Sequence, residues 1–216
     1  LTFYLVATGW RTVRRKDTDV GPYEVAAALF GGSIVILGAG LGAIAPGSPK
    51  GTLNGLPYQA AFIFTLVGYG TKAGIAPLHT WLPDAHAEAP TPVSAMLSAN
   101  MLTIAVYALL RFQLVTDRTV GRGFSGRLII GLALLSLAVS AIYLLVQRDY
   151  KRLFAYSSIE HIGIALLGFG IGGLGVFAGA WHLMNHAIAK STAFYGSGLV
   201  LQRYNHKSLE RVTGLL

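Results

Sequence analysis

The sequence predicts an all-α polytopic membrane protein, a bundle of transmembrane helices with one of them broken, and three observations predict it. The chain is 53% hydrophobic and 12% charged, with a mean hydropathy of +0.56, whereas a soluble domain carries about 25% charged residues. Its apolar residues fall into blocks close to the roughly 20 residues that a helix needs to cross a bilayer. One block, AFIFTLVGYGTKAGIAPL, encloses a lysine, Lys72, among glycines and a proline.

Taken in order, residues 1–10 read as the tail of a helix, and no methionine opens the chain. The expectation is a fragment truncated at both ends, forming a single transmembrane domain over residues 1–216. Full spans are expected at about 23–45, 58–78, 91–111, 128–146, 153–171 and 176–201, which makes about six full spans and one partial one. PGSPKGTLNGLP and TDRTVGRGFSGR are turn-rich connections, and GIGGLG reads as a tight turn before the last span. No repeat of 20 to 50 residues appears.

The net charge of +8 does not point to nucleic acid, because the basic residues lie in short segments between apolar runs and form no stripe. Topology and anionic headgroups account for them better. With the first loop cytoplasmic, the inner segments hold Arg11, Arg14, Arg15, Lys16, Arg148, Lys151, Arg152, Arg203, Lys207 and Arg211. The outer ones hold Lys50, Arg111, Arg118, Arg122 and Arg127, and Lys72 and Lys190 stay within the membrane. The absence of cysteine excludes disulfides and cysteine-ligated zinc or iron–sulfur clusters. No GxGxxG joins a strand to a helix, so nothing on the chain binds NAD. No cofactor is expected here, and redox chemistry must belong to a partner.

A lysine at the bilayer centre costs about 2.5–3.5 kcal/mol on insertion scales, so it faces a protein interior or a water cavity. Gly68, Gly70, Gly74 and Pro77 loosen the helix around Lys72, and irregular backbone at membrane depth belongs beside a cavity or within protein. The alternative is a lysine that snorkels from a helix end. His182, His186 and Lys190 recur every four residues, on one stripe about 12 Å long. Three titratable groups in a row point to a proton relay, for which imidazole is suited near neutral pH. Asn185, Ser191 and Ser197 are placed to hold waters between them. Two histidines that only tie helices together, or that ligate zinc or haem, are the alternatives, although HLMNH lacks the glutamate of a zinc-protease helix.

His79, Asp84, His86 and Glu88 follow the break, among Pro77, Pro83, Pro90 and Pro92. Asp84 and Glu88 read as caps for the next helix start, and His79 as a relay group beside Lys72. Glu160 lies about two turns into its helix, next to His161, and is expected to neutralise a lysine of a neighbouring helix. Lys151 is either a topology anchor or the inner end of a proton path.

TKAGIAPLHTWLPDAHAEAPTPVSAML, AYSSIEHIG and HLMNHAIAKSTAFYGSG together resemble the antiporter-like membrane subunits of respiratory complex I, Mrp-type cation/proton antiporters and membrane-bound hydrogenases. The ending GSGLVLQRYNHKSLERVTGLL resembles the antiporter-like component F of hydrogenase-4 (formate hydrogenlyase type) complexes. The resemblance covers nearly the whole chain. It implies two inverted five-helix halves, of which this chain would hold most of one. It also implies a proton-conducting subunit of a redox-driven respiratory or hydrogenase complex in the inner or plasma membrane of a prokaryote. Other membrane subunits and a peripheral iron–sulfur arm would be its partners, besides lipid and protons.

Lys72 matches the family's broken-helix lysine, and His182, His186 and Lys190 match its HLMxHAxxK helix. The PVSAxxH motif of many complex I relatives ends here in Ser98, so that linking histidine is missing. The glutamate partner of Lys72 would precede Leu1, and a second broken helix would follow Leu216, so this chain alone is not expected to be a complete pump. An Mrp-type secondary Na+/H+ antiporter and a non-conducting scaffold that kept the fold are the rival expectations.

Overall fold

A computed structural model describes residues 52–53 and 56–212. The expected partial span at 1–10 and the span at 23–45 lie outside the described residues. The chain divides into two units, 1–68 and 69–216. In the first, Thr52–Leu53 and Leu56–Pro57 pair antiparallel, Leu53 opposite Leu56. The remaining described residues are helical apart from short connections.

Helix α1, Tyr58–Ala73, begins in the first unit and ends in the second. It stops five residues short of the expected span, because Gly74 takes φ +73°, a conformation that L side chains avoid, and Pro77 follows it. A Cβ on Gly74 would lie 2.5 Å from Leu82 Cδ1, so the break is fitted to the next helix as well. The break is held on two sides: Ala76 N donates to Ser136 Oγ (2.9 Å), and Trp81 Nε1 donates to Thr71 O (2.7 Å). Lys72 is therefore the penultimate residue of an interrupted helix.

Helix α2, Trp81–Glu88, is too short to cross a membrane. Helix α3, Thr91–Thr119, starts after Pro90, with Pro92 in its first turn, and widens to a π-helical turn at Leu97–Met101. Helices α4 (Arg122–Val146), α5 (Tyr150–Ile171) and α6 (Leu174–Tyr204) complete the bundle, and a single 3-10 turn, Leu209–Arg211, follows. Three segments are long and apolar enough to cross a membrane: Thr91–Thr119, Gly123–Val146 and Tyr150–Ile171. α6 has the length, but His182, Asn185, His186 and Lys190 interrupt its apolar run.

Asp149 starts α5 as its N-cap, accepting from Lys151 N (2.7 Å) and Arg152 N (3.2 Å), a contribution of about 1 kcal/mol. Gly172 and Gly173, at φ +79° and +56°, make the tight turn expected from GIGGLG. That turn sends α6 back along α5. In lipid, helices associate through close packing of small residues rather than through a hydrophobic driving force. Accordingly, a Cβ on Gly126 would meet Gly170 O at 2.8 Å between α4 and α5, and one on Gly168 would meet Gly175 O at 2.5 Å between α5 and α6. The apolar side chains of the outer faces, such as Leu145 and Leu174, point away from the bundle. His161 of α5 meets His182 and His186 of α6 along the seam that the glycines close.

Candidate functional site

α6 carries His182, His186 and Lys190 along one stripe, and the structure buries the last two. Their partners come from α5. His161 Nδ1 and His182 Nε2 are 2.9 Å apart, a hydrogen bond that requires one ring to donate and the other to accept. The rings of His161 and His186 are 5.4 Å apart between centroids. Lys190 Nζ donates to Ser157 Oγ (2.7 Å) and to Phe154 O (3.4 Å), 6.0 Å from the centre of the Phe154 ring. Glu160, half-buried on α5, is the carboxylate whose charge acts on Lys190.

α2 adds a residue to which the sequence assigns no role. His86 is fully buried, its ring is stacked on Phe194 of α6 at 4.9 Å, and neither ring nitrogen has a hydrogen-bond partner. Burial, reinforced by the charges of Lys151 and Lys190, pushes its pKa down to about 3, so the ring is neutral. Both nitrogens of His186 are also buried without a protein partner. A neutral imidazole has one donor and one acceptor nitrogen to satisfy, and internal water is the ordinary supplier where protein groups are absent. Next to His186 the π-helical turn of α3 brings Ser98, whose hydroxyl lies 2.9 Å from that of Ser158 on α5. π-helical turns are frequent at functional sites.

Lys151 is buried, and its Nζ donates to Ala89 O at 2.7 Å, so it is no snorkelling anchor. His79 is buried after the break, with its ring 6.5 Å from that of Tyr156 on α5 and its Nδ1 without a partner. Lys72 is half-buried and, among the described residues, forms no ion pair. The structure therefore gathers Lys151, His86, Lys190, Glu160, His161, His182 and His186 around α5, places His79 against the same helix, and leaves Lys72 at the break.

One expectation is corrected. Asp84 and Glu88 do not cap α3, whose N-cap is Pro90 without a side-chain bond. Asp84 pairs instead with Arg152 (2.7 Å) and Glu88 with Lys207 (3.7 Å), both across to other segments. Asn185 is exposed, and Ser191 and Ser197 bond carbonyls of their own helix, Ala187 O and Phe194 O. The hydroxyls beside the relay come from α3 and α5. Among the described residues no group of three or more His, Asp or Glu is arranged to hold a metal ion. His86 had a legible signal, an imidazole between two prolines in PDAHAEAP, but no periodicity links it to α6.

The family described as NADH:quinone oxidoreductase/Mrp antiporter, transmembrane, matches residues 33–216. The chain belongs to that family. It is 42% identical over 206 residues to the hydrogenase-4 component F homolog of Methylacidiphilum infernorum, a match that spans 91% of this chain and 43% of that protein. Among solved structures it resembles a chain of the archaeal membrane-bound sulfane sulfur reductase, with a TM-score of 0.71 and 28% identity over 88% of this chain and 41% of that one. It also shares the fold of a chain of the Mrp complex from Dietzia sp., with a TM-score of 0.73 and 21% identity over 89% of this chain and 37% of that one. The chain thus spans less than half the length of these relatives. As a member of the antiporter-like family with apolar helices, it is a membrane protein.

Proposed function

We propose that this chain is a proton-conducting part of a membrane subunit in a redox-driven respiratory or hydrogenase complex of a prokaryotic cell membrane. One observation supports the reading: α5 and α6 turn imidazole and ammonium groups toward each other, and α2 adds a buried imidazole stacked on α6. His161 shares a hydrogen bond with His182 and has its ring 5.4 Å from that of His186, Lys190 donates to Ser157, and the buried His86 stacks on Phe194 of α6. Imidazole and amine groups linked by hydroxyls and water can pass a proton by taking it at one nitrogen and releasing it from another. Lys72 and His79 stand at the helix break as the entry, and Glu160 offsets the positive charge at Lys190.

The 42% identity to a hydrogenase-4 component homolog supports a hydrogenase-type assembly, with other membrane subunits and an iron–sulfur arm as partners. Moving one charge against 100 mV costs about 2.3 kcal/mol, so electron transfer on those partners must supply the energy.

The test uses the full-length protein in its complex, reconstituted in vesicles with a pH-sensitive dye. His186→Ala should cut the proton flux that accompanies electron transfer at least ten-fold, and His186→Gln should cut it less, because an amide still holds a water. Wild-type flux in His186→Ala removes the relay. Loss of one metal or haem equivalent in His182→Ala, measured against wild type, replaces it with ligation.

A further inference from the structure

The end of α2 is a problem in hydrogen bonding that the sequence creates. The carbonyl of residue 86 would ordinarily bond the N–H of residue 90, and that of residue 88 the N–H of residue 92, but both are prolines and have none. Of these two, the carbonyl of residue 86 takes a side-chain donor, and the neighbouring carbonyls at 87 and 89, at the open end of the helix, take ammonium groups. Ser94 Oγ donates to His86 O (3.0 Å), Lys207 Nζ to Ala87 O (2.6 Å) and Lys151 Nζ to Ala89 O (2.7 Å). Ammonium groups suit this place, since the carbonyl end of a helix is its negative end.

Lys207 is itself fixed. The segment leaving α6 runs antiparallel to the α4–α5 connection, with Tyr150 N donating to Lys207 O (3.2 Å), Leu209 N to Arg148 O (2.9 Å), and Asp149 bridged to Ser208. Tyr150 Oη donates to His206 O (3.3 Å). The same connection starts the helix whose second residue is Lys151. One strip of chain therefore sets both ammonium groups against the carbonyls on either side of Glu88, and Glu88 adds its own charge 3.7 Å from Lys207. The ring of His86 has no side-chain hydrogen bond to hold it, only the stack on Phe194. Its place is set by its backbone, and its backbone is set by these donors.

We infer that Lys207 is a positioning residue for proton transfer: through Ala87 O and Glu88 it holds His86 in its place against Phe194 of α6. This rests on the relay reading above.

The experiment compares Lys207→Met, Lys207→Arg and His86→Ala in the full-length protein within its complex. Two quantities are read: hydrogen–deuterium exchange of the amides at 81–90, and proton flux at matched electron-transfer rate. In Lys207→Met, exchange should rise roughly ten-fold or more, as loss of a bond from a charged donor implies, and flux should fall several-fold. Lys207→Arg, which keeps a charged donor, should recover most of both.

Exchange that rises with wild-type flux makes the strap structural only and overturns the inference. Flux that falls with unchanged exchange also overturns it, since Lys207 then handles protons itself. Unchanged values of both do the same. If Lys207→Met does not assemble, Lys207→Gln is read in its place. His86→Ala at wild-type flux sinks His86 as a relay member. His86→Ala with reduced flux beside Lys207→Met with wild-type flux sinks the positioning role alone.

Discussion

Gly168→Ala should separate the two helices that carry the relay, and its size follows from the geometry. A Cβ at Gly168 would lie 2.5 Å from Gly175 O and 3.2 Å from Gly179 N, both backbone atoms that no rotamer change can move aside. Ordinary contact begins near 3.4 Å, so α6 must retreat by about 0.9 Å. Because α5 and α6 run antiparallel, His161 precedes Gly168 by the seven residues that separate His182 from Gly175. The histidine contact thus lies two turns from the insertion, roughly 10 Å along the axis. A retreat of the whole helix takes the 2.9 Å His161–His182 bond to about 3.8 Å, beyond hydrogen-bond range. Overpacking costs about 1–3 kcal/mol, against a gain of up to about 1 kcal/mol from the better helix former.

Gly196→Ala is the control, since a Cβ there meets nothing within 4 Å. The assay pairs thermal melting of the purified complex with proton flux in vesicles. Gly168→Ala should melt lower and conduct less, while Gly196→Ala should do neither. If Gly168→Ala melts at or above the control with undiminished flux, the α5–α6 seam does not set the relay geometry.

Two further outcomes follow from α2. Ser94→Ala removes the donor to the buried His86 carbonyl and should destabilise the α2–α3 junction by about 1–3 kcal/mol, read as faster amide exchange at 86–94; unchanged exchange would mean that another group already serves that carbonyl. His86 is held neutral with a pKa near 3, against about 6.5 in the unfolded chain, so between those values the unfolded state binds more protons and stability falls as pH falls. His86→Leu should therefore lose less melting temperature between about pH 7 and pH 5 than wild type, by up to about 1.4 kcal/mol per pH unit; equal acid loss in both would show that His86 already titrates normally.

Hydropathy located α3, α4, α5 and α6 because lipid-facing helices must be apolar for most of their length, and the sequence marks that residue by residue. The break after Lys72 was legible for the same reason: Gly74 and Pro77 act on their own backbone and need no partner to do so. Likewise the stripe of His182, His186 and Lys190 was visible because one helix sets its period. What the stripe faces was not. Whether His182 meets His161, and whether Lys190 meets Ser157, depends on how α5 is rotated against α6, and that rotation is fixed by Gly168, Gly175 and Gly179 packing backbone to backbone. Small residues carry no periodic signal strong enough to read this from one chain.

The lysines show a second kind of ambiguity, with a physical cause. Lys151 and Lys207 were counted with the inner basic residues, where the positive-inside tendency alone explains them. The end of α2 also favours cations, because its last carbonyls lack backbone donors and form the negative end of a dipole. Both requirements place ammonium groups at the same end of the bundle, so composition cannot tell an anchor from a cap. The two roles diverge only in reach. An anchor keeps its head in water, whereas Lys151 is buried and both lysines bond carbonyls of the α2 terminus at 2.6–2.7 Å. Pro90 and Pro92 announce that the carbonyls of residues 86 and 88 lack backbone donors, which Ser94 answers at His86; the two lysines bond the carbonyls of 87 and 89, which the prolines do not mark.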